Sequence, residues 1–89
     1  MFNQQLSGNM WFLVQPSGKQ LRLIISDGTA ELACRKESPG ALKRFLASAE
    51  TRLFKGRLQL RKDKETVIVV LKGEDVGVIA MEELDKVLI

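Results

Sequence analysis

Arg57-Leu58-Gln59-Leu60-Arg61 alternates strictly between polar and apolar residues, and beyond the charged run Lys62-Asp63-Lys64-Glu65 lies Thr66-Val67-Ile68-Val69-Val70-Leu71. Successive side chains of a strand point to opposite faces. The first segment therefore reads as a half-exposed strand with Leu58 and Leu60 on one face and Arg57, Gln59 and Arg61 on the other. The second is a dense β-branched run of strand length, which reads as a central strand buried on both faces. The charged residues between them make a turn, so the chain contains a β-meander.

Working outward, Lys72-Gly73 forms a further turn into a strand over Val76 to Ala80. Leu84, Val87 and Leu88 then recur at helical spacing, and the acids Glu82, Glu83 and Asp85 near the start of that segment suit the N-terminal end of a short helix. Upstream, the aromatic-bearing run Met10 to Val14 closes on Pro16-Ser17-Gly18, and Leu21 to Ile25 closes on Asp27-Gly28 before Thr29 to Arg35. Both closures are turn chemistry and predict two hairpins. Ser38-Pro39 is an N-cap followed by proline at the first helical position, and Leu42, Phe45, Leu46 and Ala49 share one face of a helix expected over about Pro39 to Thr51. Residues 1–9 are polar and read as a flexible lead-in; residues 10–89 read as one domain.

The two halves, about 10–51 and 55–89, align at an offset of 45 residues: Leu13 on Leu58, Leu23-Ile24-Ile25 on Ile68-Val69-Val70, Gly28 on Gly73. With a three-residue deletion, Leu42, Phe45 and Leu46 meet Leu84, Val87 and Leu88. The expected fold is α+β: two successive β-β-β-α units forming an antiparallel meander sheet with the helices on one face.

Composition narrows the function. Among 89 residues there is no His, the usual general base near neutral pH and the commonest metal ligand, and one Cys, which builds neither a disulfide framework nor a zinc site. No phosphate-binding glycine loop, dinucleotide fingerprint, nucleophile elbow or Ca²⁺ loop occurs. The expectation is a non-enzyme with neither cofactor nor metal. Cys34 lies in a strand-like stretch as a small buried or half-buried thiol. The first residues lack the basic and apolar regions of a secretory leader, and no membrane-spanning run occurs, so the expected setting is cytoplasmic.

Fourteen Lys and Arg against eleven Asp and Glu leave a charge of +3. If Leu21, Leu23, Ile25, Leu58 and Leu60 face the helices, alternation sends Arg22, Ile24, Arg57, Gln59 and Arg61 to the open sheet face. Met10, Phe12 and Val14 facing inward would place Trp11 and Leu13 there as well. Aromatic rings stack unpaired bases and guanidinium groups pair with phosphates, so Trp11, Arg22, Arg57 and Arg61, extended by Lys55 and Lys19, make a candidate nucleic-acid platform. The same Trp11, Leu13 and Ile24 equally fit a contact with a second copy of the chain, and Trp11 fits the core if the strand register is reversed.

The repeated meander-plus-helix units resemble single-stranded nucleic-acid-binding proteins of the Pur-alpha and positive-cofactor-four types, and Lys72-Gly73, Val76-Gly77-Val78-Ile79-Ala80 and Met81-Glu82-Glu83-Leu84 resemble the last strand and helix start of the positive-cofactor-four type. The resemblance implies single-strand binding, of DNA or RNA, and dimerisation; it assigns no individual binding residue. Two functions follow as expectations: a single-stranded nucleic-acid-binding module, and a protein-interaction or homo-oligomeric assembly module.

Overall fold

The meander at the centre of the sequence is present, but it belongs to one of two sheets. In a computed structural model that describes residues 2–88, strands β1 (Phe2–Gln5), β2 (Trp11–Ser17), β3 (Gln20–Ser26) and β4 (Glu31–Glu37) precede helix α1 (Pro39–Ala47). Strands β5 (Arg52–Leu53), β6 (Leu58–Asp63), β7 (Thr66–Leu71) and β8 (Glu74–Ala80) precede helix α2 (Met81–Val87). Each set of four strands forms its own antiparallel sheet in sequence order. The protein is thus α+β, with four strands before each helix rather than three, and two sheets rather than one. The added strands are the edges β1 and β5. β1 lies in the stretch read as a lead-in, where Phe2–Gln5 pairs with Trp11–Val14.

Alternation determines what each sheet buries. Phe12, Val14, Leu21, Leu23 and Ile25 of the first sheet and Leu58, Leu60, Val67, Val69 and Ile79 of the second join one core with Leu42 and Phe45 of α1 and Leu84 and Leu88 at α2. Burying a side chain of this size is worth about 1.5–3 kcal/mol, so the shared core is what holds two small sheets together. Among the described residues the β1 pairing reaches only as far as Phe2↔Val14, so Pro16 pairs with Leu21 of β3 alone, an edge-like position that tolerates proline.

The two hairpins correspond at an offset of 46 residues, not 45: the turn pairs Ser17↔Gln20 and Asp63↔Thr66 are equivalent. Leu13 on Leu58 would equate an outer with an inner residue, since a slip of one position exchanges the faces of a strand. Phe12 and Val14 match Leu58 and Leu60, all four buried.

Both ends of α1 are satisfied by side chains. The Ser38 hydroxyl accepts from the Ala41 N–H at 3.1 Å, with Pro39 inside the first turn. At the other end Ser48 takes extended backbone, stopping the helix short of Thr51. The Lys62 ammonium, from the end of β6, donates to the Phe45 and Ser48 carbonyls and sits 4.9 Å from the Phe45 ring centre.

Candidate nucleic-acid interface

The five candidate residues are divided between the first sheet and the second sheet with its β5–β6 connection. Trp11 and Arg22 occupy the outer face of the first, on β2 and β3; Arg61 is on β6 in the second, Arg57 immediately precedes that strand, and Lys55 is exposed in the β5–β6 connection. The single open face expected from the sequence is therefore two faces, because residues on separate sheets cannot be brought together by alternation alone. Lys19 lies exposed in the β2–β3 turn.

On the first sheet, Trp11 and Leu13 are half-buried, whereas Ile24, also pointing outward, is only 2% exposed. The register explains the difference. Arg22 pairs with Lys36, Ile24 with Cys34 and Ser26 with Glu31, yet the Arg22 guanidinium bonds both Glu31 carboxylate oxygens at 2.9 and 3.1 Å. The ion pair crosses the Ile24–Cys34 row and covers Ile24. Cys34 is exposed rather than buried.

The second sheet carries the same device with a different donor strand. Arg61 pairs with Ile68 and Asp75 with Val70, and the Arg61 fork bonds Asp75 at 3.1 and 2.7 Å diagonally across β7. Val70, beside that pair, is 2% exposed. Asp75 is the main reason Arg61 is held above its ordinary pKa.

Arg52 was not singled out by its sequence, since a two-residue strand carries no periodicity. It stands directly opposite Arg61 in the ladder, on the same face. Gln59 accepts from Arg52 at 3.1 Å and donates to the Gly56 carbonyl at 3.2 Å, tying Arg52 to the loop that carries Lys55 and Arg57. Lys72 approaches from the β7–β8 turn, where its N–H donates to the Arg57 carbonyl at 2.8 Å. The acids nearby are Asp63, Glu74 and Asp75. Among the described residues neither Arg52 nor Arg57 forms an ion pair. Beside the arginines lie Ile68, half-buried, and Val78, 52% exposed.

Among the described residues no group of three or more His, Cys, Asp or Glu side chains could hold a metal ion, and no helix is long and apolar enough to cross a membrane. The fold and this face define a class: a small α+β protein of two four-stranded antiparallel sheets with a cationic outer surface. No protein-family model, curated protein or solved structure matches the chain.

Proposed function

We propose that this chain is a small non-catalytic module that binds single-stranded nucleic acid, in a cytoplasmic setting, on the outer face of its second sheet. The observation that carries the reading is the Arg52–Arg61 pair. Like charges directly opposite each other destabilise a ladder, and an anion between them reverses that cost. Arg57, just before β6, lies four residues from Arg61, at most about 13 Å at strand rise, so cations are strung along one line as a phosphate backbone requires. Lys55 and Lys72 flank the line, while Ile68 and Val78 offer bases an apolar contact. Taking each half as one repeat of a duplicated unit, with both helices on the core side, leaves this face open. The likeness to Pur-alpha and positive-cofactor-four proteins points the same way.

Fluorescence anisotropy of a labelled mixed-sequence single strand, titrated at several salt concentrations, tests the reading. Binding that weakens steeply with salt and falls in Arg52→Ala and Arg57→Ala supports it. Absence of binding at low salt, or binding untouched by both substitutions, overturns it.

A second reading has its own observation. Trp11 and Leu13 lie across from Gln5 and Asn3, so that part of the first sheet's outer face is apolar with an uncharged amide rim. Depletion of charge around an aromatic residue is the composition of an interface centre, and this face suits self-association into a homodimer. Sedimentation of Trp11→Ala against the parent chain decides it: an unchanged monomeric mass for both removes the reading.

A further inference from the structure

We propose that the groove between the two helices is a docking site for a short basic peptide segment bearing a bulky apolar side chain. The groove, about 550 Å³, is lined by Leu46 and Ala47 of α1, by Ala80 and Met81 where β8 passes into α2, and by Lys43, Glu65, Glu82 and Asp85 around them. Its size accommodates one or two large side chains, not a whole helix. The floor is apolar and, through Met81, adaptable, the property that lets methionine-bearing surfaces accept differently shaped apolar anchors.

Charge complementarity identifies the occupant. The chain carries an excess of basic residues, yet this rim carries three acids against the single Lys43. Glu82 lies 3.9 Å from Lys86, but among the described residues Glu65 and Asp85 have no ion-pair partner. An apolar floor with an acidic rim matches a segment in which lysines or arginines flank an apolar anchor, and it repels a polyanion. The site is thereby separate in place and in sign from the cationic face of the second sheet.

The test is a titration of the full chain with an acetylated, amidated peptide of leucines flanked by lysines, read by methyl NMR, beside the same peptide with each lysine replaced by glutamate. Saturable shifts at Leu46, Ala47, Ala80 and Met81 are expected with the lysine peptide and not with the glutamate peptide. Asp85→Lys and Glu65→Lys, both exposed and harmless to the core, are expected to weaken binding several-fold, and Arg57→Ala to leave it unchanged. Shifts confined to either outer sheet face, equal binding of the two peptides, or binding insensitive to both charge reversals would each overturn the proposal. No shifts at all would do the same.

Discussion

Leu6 occupies the space that a side chain at position 77 would need: a Cβ on Gly77 would lie 2.5 Å from the Leu6 Cδ2 and 2.7 Å from the Leu6 Cβ. The contact joins the two halves of the chain. Just after Leu6, the Ser7 N–H donates to the Val76 carbonyl at 2.8 Å, and two residues before it the Gln4 side-chain amide donates to the Val78 carbonyl at 2.8 Å. The N-terminal segment thus satisfies part of the edge of β8 while Leu6 packs in the core.

Because the Leu6 Cβ itself is in the way, rotating the leucine tip cannot make room, and Gly77→Ala is expected to cost about 1–3 kcal/mol. Leu6→Ala leaves a cavity and is expected to cost about 2–5 kcal/mol. The double substitution should cost less than the sum, since alanine at 6 removes the Cδ2 and Cγ that alanine at 77 strikes and leaves only the Cβ contact to be relieved. Urea unfolding of the four proteins measures this, and strict additivity would refute the contact.

Lys62 gives a second stability prediction. Its ammonium donates to the Phe45 carbonyl, which also accepts from the Ser48 N–H at 3.3 Å, and to the carbonyl of Ser48 just past the last turn of α1. Lys62→Met keeps the aliphatic stem and removes the charge-assisted hydrogen bonds, with an expected loss of about 1.5–3 kcal/mol. Amide exchange should rise first in the last turn of α1; unchanged exchange there would show that the cap contributes nothing.

Which parts of this arrangement were legible beforehand follows from how much signal each residue carries. Leu58 and Leu60 between polar neighbours and Ser38-Pro39 state their local structure, and both are observed as read; β7 is an interior strand as expected, but Ile68 on its outer face is half-buried rather than buried. Phe2–Gln5 has one apolar residue among amides and Arg52–Leu53 is two residues long, so neither strand shows a period. The division into two sheets is likewise silent, because the connection after α1 decides it and alternation within strands does not. Of the candidate residues, Arg57 and Arg61 lie at the second sheet beside Arg52, whose two-residue strand carries no period, while Trp11 and Arg22 lie on the first sheet. The ion pairs to Glu31 and Asp75 join residues that are distant in sequence and diagonal in the ladder, and no spacing rule announces them.

The β3–β4 loop supplies a prediction in acid. The Asp27 carboxyl is held below the usual carboxylate range, first by the Thr29 N–H at 2.9 Å, then by the Ala30 N–H at 2.9 Å and the Thr29 hydroxyl at 2.8 Å. A group whose pKa is lower folded than unfolded contributes stability above its unfolded value, near pH 3.9, and loses it as pH falls through the folded value. Asp27→Asn retains an acceptor oxygen without the charge. Its melting temperature should therefore fall less steeply than the parent's below about pH 4, and parallel curves in thermal melts would count against the assignment.

Asp75 distinguishes a structural from a functional Arg61. As the protein stands, a phosphate reaching Arg61 must displace a carboxylate that already holds both arms of the guanidinium. Asp75→Asn removes the competing charge while keeping a side chain of the same shape, so Arg61 becomes available and the repulsion between Asp75 and a polyanion disappears. Single-strand affinity at fixed salt is expected to rise, and the slope of log affinity against log salt to steepen by about one phosphate contact. Arg57→Ala moves both quantities the other way, lowering the slope by about 1. If Asp75→Asn leaves affinity and slope unchanged while Arg57→Ala reduces both, Arg61 serves only to shield Val70, and the nucleic-acid contact runs through Arg52 and Arg57 without it. If neither substitution changes either quantity, the second sheet is not the binding face, and the interface reading of Trp11 and Leu13 becomes the one to pursue.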